Sequence, residues 1–481
     1  AMGLPVRIKT TQKQGVGPMA NITFQASREE NCQWISVPVD PQHPLFILKD
    51  ALPWQRLYDI AVSAWRRAGK NVDGRQGRQW NAWLYLRIVI VMITLSLQSR
   101  QMEQKLAENA VIRAFVECQD HHLPQIRDHA NIARAWESLG KEAYQAINDQ
   151  VLRTANQLGF ADIREVSGDT TVQELPIGYP NEPGILKGLA ERCQRALKKI
   201  KAKGCQVTET AMSKTQEIIA SAKEYHLFAK EQETKEQILG QMLEQVGDLQ
   251  DQSLKVIDSV KNSTDKTVVS ARQKLADMNE VAGTLLDQII HWLTTGTVAK
   301  GKILHAGITQ AQAIVKNKAD KRVEFGLKYL VGRIGGGYLL SQSFLNNPSE
   351  HLMPQYLLEE YQRVFGTDVV PDIAVYDRGG HCQQTIKWLQ EQGVSKIGIQ
   401  PKGKSPWLVD ESDKECVKKA RARTEGDIGS LKSSKYGFNL PKERKWANLQ
   451  ASGVKCVLSQ NLNRLMRDLT KKDARPAAVY S

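Results

Sequence analysis

Near the C-terminal end of the chain, Arg421, Glu425 and Lys432 follow one another at offsets of four and seven residues. On a helix of about 3.6 residues per turn, these offsets set a carboxylate between two cations on one face. Upstream, the apolar run Ile373-Ala374-Val375-Tyr376 ends in Asp377-Arg378-Gly379-Gly380, the pattern of a buried strand that stops at an acid and turns on glycines. A second acid, Asp169, sits in Val166-Ser167-Gly168-Asp169-Thr170-Thr171-Val172, which is rich in β-branched residues and reads as a strand. Three acids on three elements can converge. Convergent carboxylates suit hard divalent cations such as Mg²⁺, which take oxygen ligands and keep waters and substrate phosphates. Two such ions about 3.5–4 Å apart support in-line phosphoryl displacement.

These residues resemble the DDE triad of bacterial insertion-sequence transposases with an RNase H-like catalytic core. The likeness rests on Asp169-Thr170-Thr171, on the D-x-G of Asp377 to Gly379, and on the R-E-K spacing of Arg421, Glu425 and Lys432. It extends to Gly178-Tyr179-Pro180, to the stretch from Lys318 through Phe325 and Gly326, and to the helical N-terminal region, over residues 40 to 470. Many relatives carry a Tyr three residues before the Arg, where this chain has Lys418, so that residue's role is not carried over. The resemblance implies that Asp169, Asp377 and Glu425 are the catalytic acids and hold Mg²⁺, with Mn²⁺ as a substitute. It further implies that Arg421 and Lys432 hold flanking DNA phosphates; Lys402, Lys404 and Arg378 are read as further DNA contacts. The partners it implies are terminal inverted repeats and target DNA, with a homodimer or higher oligomer assembled on them.

Composition agrees with an anionic partner. The chain carries 66 Lys and Arg against 52 Asp and Glu, a formal charge of +14. The segment from Lys414 to Arg475 holds sixteen of these cations against six acids, so it alone supplies +10. Phosphate backbones answer such a field through counterion release and steering. The seven cysteines are scattered without a C-x-x-C pair, which speaks against a disulfide framework or a zinc module and for a reduced, cytoplasmic setting, nucleoid-associated when DNA is bound. No signal peptide is expected, Ala1-Met2-Gly3 reading as a cloning remnant, and the apolar run Ile88 to Leu97 is too short to span a bilayer.

The elements that must position the acids are read from periodicity. With 481 residues, of which 41% are hydrophobic, about two to four domains are expected. Residues 1–40 are expected to form a flexible or weakly strand-forming segment, and 41–160 a helical DNA-binding and assembly domain. In the latter, Leu45 to Ala68 and Trp80 to Ala107 read as helices around a polar break at Asn71 to Gly77. Residues 161–207 are assigned to the first part of the catalytic core, 298–472 to its second part and 473–481 to a tail. Between the two parts, apolar residues from Leu239 to Val260 and from Leu275 to Trp292 recur at alternating threes and fours. With Asn262-Ser263-Thr264-Asp265 between them, these arms read as a coiled-coil hairpin within an insertion over 208–297. The expected fold is therefore an α/β RNase H-like core with a helical N-terminal domain and a long coiled-coil insertion. In the second part, Lys302 to His305 and Glu324 to Lys328 read as strands, and Gly335-Gly336-Gly337 as a turn.

Two other readings follow from the same residues. Gly398, Gly403, Lys404 and Ser405 satisfy the P-loop spacing, which would make the chain an ATP-dependent transposition helper. Gly398 lies inside the strand pattern Ile397 to Ile399, however, and Pro406-Trp407 follow Ser405 directly, an unfavourable context for a phosphate loop. A non-catalytic coiled-coil DNA-binding protein is the third reading. His121, His122 and His129 lack the spacing of a zincin helix, and His381 reads as a helix cap or a phosphate contact.

Overall fold

A computed structural model describes residues 6–10, 20–25, 34–74, 80–118, 128–205, 207–316, 323–401, 407, 409–443 and 445–473, with side chains from 39 to 471. Lys402, Lys404, the Gly403 to Ser405 part of the P-loop spacing, His121 and His122 lie outside the described residues.

The elements run in order β1 (Val6–Thr10), β2 (Ala20–Gln25), β3 (Trp34–Val39), α1 (Pro44–Ala51), α2 (Trp54–Arg67), α3 (Ala82–Thr94), α4 (Ser99–Glu108), α5 (Ala110–Val116), α6 (His129–Ser138) and α7 (Gly140–Gln157). They continue with β4 (Asp162–Glu174), α8 (Glu182–Lys201), α9 (Thr208–Phe228), α10 (Gln232–Ser259), α11 (Lys266–Thr295), β5 (Gln312–Val315), β6 (Val323–Gly335) and β7 (Tyr338–Phe344). The last are α12 (Met353–Phe365), β8 (Ile373–Tyr376), α13 (Gln383–Glu391), β9 (Lys396–Ile399), α14 (Glu411–Leu431) and α15 (Trp446–Asp473). Several expectations are corrected here. The segment expected to be flexible or weakly strand-forming contains the antiparallel sheet β1–β2–β3, so of the two alternatives the flexible one is corrected. The helix expected over Leu45 to Ala68 is interrupted at Leu52-Pro53, where proline supplies no N–H and disfavours helix in the residue before it. The apolar helix expected over Trp80 to Ala107 bends by 106° between α3 and α4, and among the described residues no single helix is long and apolar enough to cross a membrane. Lys302 to His305 is not a strand.

The chain divides into two compact units, one made of residues 1–173 and 328–481 and the other of 174–327. In the first unit the sheet order is β7, β6, β4, β8, β9. β4, β8 and β9 are parallel, Val166 pairing with Ala374 and Ala374 with Ile397. β6 and β7 form an antiparallel hairpin that turns on Gly336 and Gly337, both at φ +84°, a conformation that side chains with a Cβ resist. The helices of residues 41–160 do not form a separate body: one hydrophobic core runs from Leu45 through Val166 and Tyr376 to Leu465. Its spine is α15, which packs on α1, α3, α7 and β7. Buried Asn461 on α15 accepts from Leu339 N and donates to Leu339 O, both at 2.8 Å, so a side chain completes the outer edge of β7. Ser459 donates to the Ile93 carbonyl, which also accepts from Ser96 N, and Asn463 donates to the Thr94 carbonyl at the end of α3.

In the second unit, α8, α9, α10 and α11 bury one shared core that includes Leu189, Ile218, Met242, Val246, Leu275 and Ile289. The arms expected to seal on each other as a hairpin therefore also pack against two further helices. Residues 182–201, assigned from sequence to the catalytic core, are one of them: Ile185, Leu189, Cys193, Ala196 and Ile200 line a buried stripe of α8. In the same unit β5 pairs antiparallel with the first residues of β6.

Candidate functional site

The three acids come from three elements of the first unit. β4 and β8 run in parallel register through the pair Gly168–Tyr376, and Asp169 and Asp377 are the next residue on each. Asp377 leaves the strand and opens a one-turn 3₁₀ helix, Arg378–Gly380. Side chains two apart on a strand share a face. Ser167 shares a hydrogen bond of 2.8 Å with Thr424 of α14, and Val375 packs with Val417 and Ala420 of the same helix. The face that carries Asp169 and Asp377 is therefore the one α14 covers. Glu425 follows Thr424 directly and is exposed, and Arg421 lies one turn before it.

Two contacts set how α14 lies on the sheet. Gly398 of β9 pairs with Val375, and a Cβ there would come within 2.9 Å of both Val375 and Val417. Glycine thus lets the helix approach closely, which accounts for Gly398 without a phosphate-loop role. Further along, Arg333 of β6 donates through Nε to Asp427 Oδ2 at 2.9 Å, with its side chain only 7% exposed. From Val417 to Asp427 the helix thus crosses β9, β8, β4 and β6 in turn.

Arg421, expected from the resemblance to contact DNA, is paired with the Asp377 carboxylate through Nη2. Asp169 accepts the backbone N–H of Thr170 at 2.7 Å. Arg378 is exposed beside Asp377, and Lys432 is the C-terminal cap residue of α14. His381 is the cap residue that closes the 3₁₀ turn. Carboxylate oxygens are the donors that Mg²⁺ takes, so the donor set fits that ion in kind. Among the described residues, however, no three His, Cys, Asp or Glu side chains are gathered to hold one metal. A positive group already lies against Asp377.

Behind the acids lies a group that sequence reasoning missed. Glu350 accepts from Thr170 Oγ1 at 2.9 Å and from Tyr376 Oη at 3.2 Å, and pairs with Lys328 Nζ at 2.9 Å. Burial, reinforced by the nearby Glu350 and Asp169 carboxylates, holds the Tyr376 phenol protonated far above its ordinary range, so it stays a donor. No local signal marks this group, because its members come from four separate elements.

Residues 35–137 match the family model described as a transposase domain (DUF772). This agrees with the resemblance to insertion-sequence transposases, and it covers the helical N-terminal part, whereas Asp169, Asp377 and Glu425 lie outside it. No curated protein and no solved structure matches the chain.

Proposed function

We propose that this chain is a DDE-type DNA transposase with an RNase H-like core, which cleaves transposon ends and joins their 3′ ends to target DNA. One observation carries the reading. The register of β4 and β8 puts Asp169 and Asp377 at neighbouring strand ends, and the Ser167–Thr424 bond lays α14, the helix that carries Arg421 and Glu425, over the same sheet face. The transposase domain in the same chain supports it.

In this reading Asp169, Asp377 and Glu425 would hold Mg²⁺, or Mn²⁺ in its stead, which when bound supplies Lewis-acid stabilisation of charge developing at the phosphoryl group. The chain's own residues do the rest. Asp169 and Asp377 are fixed by strand register, and Glu425 by a helix pinned at Gly398 and Arg333. Arg421 neutralises Asp377 and is the nearest cation to a phosphate that approaches it. Exposed Arg378, and exposed Lys418 about one turn before Arg421 on α14, add positive charge on this side, consistent with a duplex backbone as ligand. Cleavage and joining are both in-line transfers, so one set of acids serves both. Assembly as a homodimer or higher oligomer on DNA belongs to the same proposal.

The test is a gel assay on random and candidate terminal-repeat DNA with Mg²⁺, Mn²⁺ or EDTA. Glu425→Gln keeps volume and both flanking cations. Cleavage should fall at least about a hundredfold, since several kcal/mol of transition-state stabilisation disappear at about 1.4 kcal/mol per tenfold. DNA affinity should hold. Normal cleavage by Glu425→Gln refutes the assignment.

A further inference from the structure

We propose that Glu350 is a positioning residue for the two strand-end acids, an inference that rests on the reading of Asp169 and Asp377 given above. Glu350 begins the one-turn helix Glu350–Leu352 ahead of α12. Its Oε1 accepts from Thr170 Oγ1 at 2.9 Å and lies 2.9 Å from Lys328 Nζ, while its Oε2 accepts from Tyr376 Oη at 3.2 Å. Thr170 is the residue after Asp169, and Tyr376 the residue before Asp377. Neighbouring residues on a strand point to opposite faces. One carboxylate on the face away from α14 therefore ties β4 to β8 at the level where the two acids leave on the other face.

The charge on this brace is itself held. Lys328, on β6, is 4% exposed at its side chain and also donates to Pro348 O at 2.7 Å. A buried ammonium in that position neutralises Glu350 and leaves its two oxygens as acceptors for both hydroxyls. Three strands, β6, β4 and β8, thus converge on two oxygens. Loss of that tie frees the spacing between Asp169 and Asp377 without touching either acid. Outer partners that orient ligand groups typically contribute about 10–100-fold in metal affinity or activity.

The experiment compares wild type with Glu350→Ala, Glu350→Gln, the double variant Thr170→Val/Tyr376→Phe, and Asp377→Asn. Mn²⁺ binding is followed by electron paramagnetic resonance, DNA affinity by titration, DNA cleavage by gel, and folding by urea denaturation. Glu350→Ala should weaken Mn²⁺ binding and slow cleavage about 10–100-fold with DNA affinity unchanged. Glu350→Gln, which keeps one acceptor oxygen, should restore part of both. If Glu350→Ala does not fold, the double variant decides, because it leaves the Glu350–Lys328 pair in place; it should show the same loss of Mn²⁺ affinity. Unchanged Mn²⁺ binding and cleavage in folded variants, beside an active wild type, overturns this proposal alone. Abolition of Mn²⁺ binding as complete as in Asp377→Asn would make Glu350 a ligand and overturn the positioning role. A wild type that neither binds Mn²⁺ nor cuts DNA overturns the transposase site and this proposal with it.

Discussion

Removing the Asp427 carboxylate tests whether α14 is pinned to the sheet by charge. In Asp427→Ala the Arg333 guanidinium stays buried between β6 and the helix, its side chain 7% exposed, and among the described residues the remaining paired carboxylate is Glu165, with Oε1 at 3.8 Å. Breaking a fully buried pair costs about 3–5 kcal/mol, because one charge is left uncompensated. Asp427 is 20% exposed and Glu165 21%, so water and a second carboxylate screen part of that charge. The expected cost is about 3 kcal/mol, the low end of that range. Asp427→Asn keeps an acceptor for Nε and loses only the charge, for about 1.5 kcal/mol. Arg333→Met/Asp427→Leu removes both charges and refills the space, so it should stay within about 1 kcal/mol of wild type. Hydrogen exchange at β6 amides reads the effect locally: 3 kcal/mol is a rise of roughly a hundredfold, at about 1.4 kcal/mol per factor of ten. A rise below about threefold in Asp427→Ala, or a double variant as labile as the single one, refutes the argument.

Two predictions concern other titrating groups. Burial pushes the Cys456 thiol up to about 12, so at pH 8 it stays protonated, whereas Cys416 is exposed; iodoacetamide should alkylate Cys416 well before Cys456 in the native chain, and equal rates at the two would contradict the packing around Cys456. Asp265 accepts from the first-turn N–H groups of Thr267 and Val268 and pairs with Lys203 at 2.9 Å, and these partners, Lys203 foremost, hold its carboxyl down to about 2. The folded value lies below the unfolded one of about 3.9, so its stabilisation is full above that pH and lost as pH falls through the folded value. Protection of the first turn of α11 in hydrogen exchange should therefore decline between about pH 4 and pH 2 in wild type, and Asp265→Asn should flatten that decline.

The parts legible in the sequence were those with a local signature. Ile373 to Tyr376 followed by an acid and two glycines marks a strand end by composition alone, and the 421–425–432 spacing marks a helix face. What was not legible depends on partners far apart in the chain. Arg333 and Asp427 are 94 residues apart and Thr170 and Glu350 are 180 apart, so neither pair leaves a trace in any local window. The bend between α3 and α4 has no glycine or proline to announce it, since Leu95 to Gln98 continue an apolar pattern. α8 carries an amphipathic stripe like any surface helix, and periodicity does not say which neighbour it packs on. Lys302 to His305 holds only the apolar pair Ile303-Leu304, too short to separate a strand from an irregular segment.

The second unit leaves the sheet along β4 and returns along β6. Leu175 N donates to Phe325 O at 3.1 Å across 149 intervening residues. The two strands are antiparallel, since Asp162 lies against Gly335 at their other ends. Closing an unstructured loop of that length would cost about 4 kcal/mol of chain entropy by the logarithmic law. Helix–helix contacts in α8 to α11 are mostly between neighbours in sequence, and such contacts form early. Once they have formed, the departing and returning strands emerge side by side. A pairing that is among the most distant in the chain then closes like a hairpin, with a folded bundle as its turn.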